Sequence, residues 1–124
     1  MAAVDTSTLI AFIQGDRGAD VEKFEARLLS SDVTLPPVVL TELLFEPHLP
    51  AQHRAVIVDL PVLELSDDFW IRAAATRALL LAKRLRARLP DTLIAQSCLD
   101  NDVALITRDT DFRHFARHCG LRLA

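Results

Sequence analysis

The stretch ALITRDTDF, Ala104 to Phe112, starts as an apolar run and ends with two aspartates set just beyond it. Val103 to Ile106 reads as a short buried strand, so the aspartates fall at its carboxyl tip. Two readings compete for such a strand. If other acids stand at similar places in the chain, they share a cation. If none does, one aspartate caps the next helix and the other is solvated.

On both sides of this strand the pattern alternates. Ala2–Val4 reads as a strand ending at Asp5, followed by a helix from Thr6 to Gln14 and a turn bracketed by Gly15 and Gly18. Val21, Phe24, Glu25 and Leu28 keep helical spacing between Ala19 and Leu29. Val33–Leu35 is a second strand. Pro36-Pro37 then opens a helix to about Phe45, because first-turn N–H groups need no partner, and Pro47 stops it. A short helix from Pro50 to about Asp59 precedes a third strand, Val62–Leu65. Ser66, Asp67 and Asp68 offer capping groups to a long helix whose buried face is expected to be Ile71, Ala75, Ala78, Ala82, Leu85 and Leu89. Pro90-Asp91 restarts a helix with Ile94, Ala95, Cys98 and Leu99 on one stripe. Beyond the ALITRDTDF strand, Phe112–His118 forms a helix closed by Gly120, and Leu121–Leu123 a fifth strand. Short apolar strands alternating with helices predict a three-layer α/β domain, its parallel sheet covered on both faces. Ligands of such sheets sit outside the carboxyl ends of the strands, where the strand order reverses.

The composition suits that reading. A chain of 124 residues, 51% apolar, makes one domain (residues 1–124) with a core that needs no disulfide. Cys98 and Cys119 read as reduced core residues, and His48, His53, His114 and His118 lack metal-ligand spacing. No signal peptide or membrane span is read, so a cytoplasmic protein is expected. The net charge of -3 is unevenly spread. Arg72, Arg77, Lys83, Arg84, Arg86 and Arg88 lie between Phe69 and Pro90 with no acid among them, leaving eight basic residues against all seventeen acids elsewhere. That segment is either a nucleic-acid-binding face or the solvated side of a helix.

Four acids fall where the fold would gather them. Asp5 ends the first strand, Asp109 follows the fourth, and Asp91 stands in the first turn of a helix. Glu42 interrupts the apolar run Val38, Val39, Leu43, Leu44, where an unpaired carboxylate is costly. Four carboxylates at one sheet edge repel one another unless divalent cations or raised pKa values relieve them. Oxygen ligands without His or Cys favour Mg²⁺, with Mn²⁺ as substitute, over zinc. Each acid also has a plainer role: Asp5 as a helix cap, Asp91 as a partner of the helix dipole, Glu42 on a helix edge in water. Asp111 is best explained as the cap of the helix at Phe112, which leaves Asp109 as the fourth ligand.

VDTSTLI, LTELLF, PDTLIAQ and LITRDTDF, in this order over nearly the whole chain, resemble the PIN domain, and more narrowly the VapC-type toxins of prokaryotic toxin–antitoxin pairs. The resemblance implies a metal-dependent endoribonuclease on a Rossmann-like, five-stranded parallel sheet, with Asp5, Glu42, Asp91 and Asp109 as its acids. It implies polar helpers at Ser7 and Thr107, a cognate antitoxin and a homodimer. Two departures stand out. In the third motif, Asp91-Thr92-Leu93-Ile94-Ala95-Gln96, relatives often carry alanine directly after the acid and a second alanine in place of Gln96. Glu46-Pro47 stands where a glycine is common. Neither removes a ligand.

The expected chemistry is hydrolysis of RNA phosphodiester bonds. Lys83, Arg84, Arg86 and Arg88, just before Asp91, would track the phosphates. Ile10, Phe12 and Phe24 are candidates for a protein interface, although core packing is the commoner fate of such residues. A response-regulator receiver fails on its acid pair and its lysine, and an Asp-x-Asp phosphatase fails on Ser7. The competing class is a PIN scaffold that binds RNA or protein without cutting.

Overall fold

Ala2, Ala3 and Val4 form β1 and expose no surface at all. Successive side chains of a strand point to opposite faces, so burial of all three means that the sheet is covered on both sides. The computed structural model describes residues 1–44 and 46–124. In it β1 lies between β2 (Val33–Thr34) and β3 (Ala104–Ile106), and both pairings are parallel. The register sets Val4 beside Ile106, and the Asp5 N–H donates to the Ile106 carbonyl at 2.9 Å. Asp5 and Thr107 are thereby brought to the same sheet edge. The chain goes from β1 to β2 on one side and returns to β3 on the other, so the strand order reverses between β1 and β3. Crevices form at that point.

The sequence predicts five strands, and three are present among the described residues. The third and fifth expected strands survive only as single parallel bridges, Leu35 to Val62 and Leu105 to Leu123. Both are outermost segments with one neighbour each. Pro61 contributes only a carbonyl, which accepts from the Leu35 N–H at 2.9 Å.

The helices are α1 (Thr6–Ile13), α2 (Ala19–Leu29), α3 (Pro37–Leu44), α4 (Ala51–Asp59), α5 (Phe69–Ala82), α6 (Leu89–Asp100) and α7 (Phe112–Cys119). The expected end of α3 at Phe45 lies outside the described residues. α5 is shorter than expected, and its buried face is Phe69, Ala73 and Leu80, not the Ile71 series. Ile71 is 76% exposed, and Arg84, at φ +59°, ends the helical path before Leu85. Residues 83–88 are a loop, so the solvated-helix reading of the basic run does not hold. Asp68, at the α5 cap position, makes no capping bond; it pairs with Arg72 instead. α7 ends at Gly120 in the left-handed region, φ +83°, as its sequence requires.

Phe24, Phe69, Phe112 and Phe115 fill the core with Leu9, Leu35, Leu43 and Leu80. Phe24 is thus no surface anchor, and Phe12 packs edge-on against it with ring centroids 5.1 Å apart. His53 is half-buried against Phe12. Both cysteines are free, and burial pushes the Cys98 thiol up to about 12, which keeps it inert. No described helix is long and apolar enough to cross a membrane.

Candidate metal centre

The tips of β1 and β3 and the start of α6 surround a cavity of about 250 Å³. Its lining includes Asp5, Ser7, Glu42, Arg88, Asp91 and Asp109. All four acids selected from the sequence therefore face one space, although they come from four separate elements.

Asp5 ends β1 and caps α1, so the structural and the chemical role coincide. It is 3% exposed, and its Oδ2 accepts from the Ser7 hydroxyl at 2.6 Å and the Thr107 hydroxyl at 2.8 Å. Burial raises its pKa above the ordinary aspartate value, and these hydroxyl bonds pull the other way. Thr107 Oγ1 also accepts the Asp109 N–H at 3.0 Å. One hydroxyl thus joins the first acid to the backbone of the last. Glu42, on α3, is exposed at the rim, where its Oε1 accepts from the Thr6 hydroxyl at 2.8 Å.

Asp91 occupies the first turn of α6 beside Pro90. Its pKa is raised to about 6. Burial is the main cause, the Arg88 guanidinium opposes it, and the charges of Asp109 and Asp5 add to the rise. The cluster is short of positive charge.

The capping expectation for Asp111 fails. Its side chain makes no capping bond; the Asp109 Oδ1 accepts the Asp111 N–H at 2.9 Å instead. The Asp111 carboxylate turns to the acids, and Asp91, Asp109 and Asp111 each bring an oxygen within 4.8 Å of the others. Two acid sets therefore share Asp91 and Asp109, one completed by Asp5 and Glu42 and the other by Asp111. Arg88 touches both sets, and among the described residues Asp111 alone has a second arginine beside it. Arg86 Nε lies 3.6 Å and Arg88 Nη2 3.4 Å from its Oδ2.

The basic run divides. Arg88 reaches Asp91 at 3.3 Å and Asp109 at 3.4 Å as well as Asp111, inside the acid cluster. Lys83 and Arg84 are exposed on the turn after α5. Arg77 pins the loop by donating from Nε to the Ala87 carbonyl at 2.8 Å, and Arg72 is occupied by Asp68 and Asp100. Nothing in the residue pattern signals the bridging role of Arg88, since two of its partners lie 21 and 23 positions away. Nor does it signal Thr6 as partner of Glu42, or the exposure of Trp70, Ile71, Leu79 and Leu81 on α5.

The donor set suits a hard divalent cation: carboxylate oxygens, two of them raised above the ordinary aspartate pKa chiefly by burial, and hydroxyls that fix their orientation.

Comparison with known proteins agrees with this architecture. The family model for the PIN domain matches residues 2–118. No curated protein sequence matches the chain. Among solved structures, the chain is similar to VapBC2 from Rickettsia felis bound to a promoter DNA fragment, with TM-score 0.77 and 18% identity over 99% of this chain and 96% of that one. It is similar to DNA-bound VapBC from Salmonella typhimurium, with TM-score 0.71 and 24% identity over 100% and 98%. FitAcB from Neisseria gonorrhoeae gives TM-score 0.69 and 16% identity over 99% and 96%.

Proposed function

Since the chain belongs to the PIN-domain family, we propose that it is a metal-dependent endoribonuclease, the VapC-type toxin of a toxin–antitoxin pair. The observation that carries this reading is the convergence of Asp5, Glu42, Asp91 and Asp109 on one cavity at the β1/β3 switch point. Asp5, Asp91 and Asp109 would hold Mg²⁺, or Mn²⁺ in its place, with Glu42 at the rim. Such a cation activates water and offsets charge on the scissile phosphate.

The remaining work belongs to this chain's own side chains. Ser7 and Thr107 orient the Asp5 carboxylate through bonds of 2.6 and 2.8 Å, and Thr107 holds the Asp109 backbone at the same time. Arg88 offsets the negative charge of the cluster and stands ready to meet an RNA phosphate, as Arg86 does 3.6 Å from Asp111. Lys83 and Arg84 extend positive charge beyond the cavity, which suits a polyanion that must approach an acidic site. No aromatic residue interleaves with the basic run and tyrosine is absent, so recognition through stacked bases is not indicated.

Two of the structural relatives are VapBC assemblies by name, which supports a cognate antitoxin as partner. The homodimer that the family resemblance implies would have Trp70 and Leu81, exposed on one side of α5, to bury. A cytoplasmic, single-domain protein fits this role.

The test is cleavage of a labelled RNA panel by purified protein with Mg²⁺, Mn²⁺ or EDTA, beside Asp5→Asn. Discrete cuts that need metal and vanish in the variant are expected. Cuts that persist in the variant would point to a contaminant, and RNA binding without any cut would move the chain to the non-catalytic class.

A further inference from the structure

Arg108 stands between Thr107 and Asp109 yet does not line the cavity. Its guanidinium forks onto Asp20, with Nε donating to Oδ2 at 2.8 Å and Nη2 to Oδ1 at 3.0 Å. Nη2 also donates to the Arg17 carbonyl at 3.3 Å. Asp20 belongs to the first turn of α2, and its side chain is only 11% exposed. Its Oδ2 takes a further bond, at 2.8 Å, from the fully buried Thr8 hydroxyl of α1. The Arg108 guanidinium holds the Asp20 carboxyl below the ordinary aspartate range.

The backbone leaves space for this fork and for little else. At Gly18, φ is +155°, and a Cβ would stand 2.8 Å from Asp20 Oδ1 and 3.0 Å from Arg108 Nη2. A side chain there would push the fork apart as well as strain the backbone. Two helices and a glycine therefore converge on one arginine, whose neighbours in sequence both belong to the acid site. The Arg108 N–H also faces the Ser7 hydroxyl at 3.4 Å. Restraint of the Arg108 side chain is thus restraint of the turn that carries Thr107 and Asp109.

We propose that Asp20, acting through Arg108, is a positioning residue that sets Thr107 and Asp109 against Asp5, with Thr8 and Gly18 completing the tether. The catalytic side of this inference rests on the nuclease reading above. A fork of two parallel bonds resists rotation as one bond does not, which suits a part that fixes geometry. Arg88 meets its acids at 3.3 and 3.4 Å with half of its side chain exposed, whereas the Arg108 fork is shorter and less exposed, as a tether is.

The experiment compares wild type with Asp20→Asn, Arg108→Gln and the milder Arg108→Lys. Amide hydrogen exchange is read along the chain, Mn²⁺ binding by calorimetry, and cleavage as separate kcat and KM values. The tether predicts faster exchange at the Asp109 and Asp111 amides, while β1 and β3 stay as protected as in wild type. It predicts Mn²⁺ affinity and kcat each lower by roughly tenfold, the low end for residues that orient metal ligands, with KM unchanged. Asp20→Asn and Arg108→Gln should behave alike, and Arg108→Lys should fall between them and wild type. Unchanged exchange at Asp109 and Asp111 would overturn the proposal. So would a raised KM in Arg108→Gln alone beside a normal Asp20→Asn, because Arg108 would then be touching RNA directly. If wild type neither binds Mn²⁺ nor cuts RNA, the nuclease reading falls, and the exchange comparison still decides whether the tether exists.

Discussion

Asp91→Asn is expected to stabilise the protein when metal is withheld. The wild-type carboxyl is raised from 3.8 to about 6, chiefly by burial. Its folded pKa lies above its unfolded one, so the native state holds the extra proton between those values. Stability therefore falls as pH rises through that window, and the full cost is present above it. At roughly 1.4 kcal/mol for each pH unit between the two values, that cost is near 3 kcal/mol at about pH 7.5. Replacing the charge also forfeits its interaction with the α6 N-terminus, about 0.5 kcal/mol, and leaves Arg88 with two carboxylates in place of three. A net gain of about 2 kcal/mol remains, or roughly 6–10 °C in Tm for a chain of this size. The assay is thermal and urea unfolding of both proteins in EDTA at about pH 7.5 and about pH 4. The gap should shrink by about 2 kcal/mol at the lower pH, where the folded carboxyl is protonated and the unfolded one close to half so. Saturating Mn²⁺ should reverse the order, since a ligand at about 100 times its Kd adds about 2.7 kcal/mol to the form that binds it. An asparagine variant less stable than wild type in EDTA at about pH 7.5, or a gap indifferent to pH, would refute the picture of a frustrated acid cluster.

Thr107→Val keeps the shape and removes the hydroxyl that joins Asp5 to Asp109. It should cost about 1–3 kcal/mol in urea unfolding and weaken Mn²⁺ binding in calorimetry. Arg88→Gln should act with opposite signs on two ligands, tightening Mn²⁺ severalfold by removing a competing cation and weakening RNA in a filter-binding assay. Half of the Arg88 side chain is exposed, so the change is modest. Neutralising Lys83, Arg84 and Arg86 together should weaken RNA binding and flatten its dependence on salt, by about 0.7 in slope for each phosphate no longer neutralised. An unchanged slope would mean that the loop does not meet RNA.

The alternation of short apolar strands with helices made the fold legible, because β1 and β3 are buried in the core and carry no polar interruption. The same rule overcounted strands. Val62–Leu65 and Leu121–Leu123 look like strands in composition, but each sits at the edge and forms one bridge only. α5 misled for a related reason. Its apolar residues occur all around the helix, so spacing alone could not tell the core face of Phe69, Ala73 and Leu80 from the exposed one of Trp70 and Ile71. The candidate acids could be named because strand ends are readable and parallel registers bring them together. What surrounds them was not readable. Whether Asp109 or Asp111 bonds the helix start depends on a local turn, and the reach of Arg88 and Arg108 depends on tertiary distances that no spacing encodes.

The measurement closest to the central claim is a crystal soaked in Mn²⁺, with anomalous scattering used to locate the ion. An ion within about 2.3 Å of oxygens from Asp5, Asp91 and Asp109 is the predicted result, with Arg88 swung clear of Asp91. An ion held by Asp111 without Asp5, or full-strength Mn²⁺ binding in solution with no density at this cavity, would contradict it.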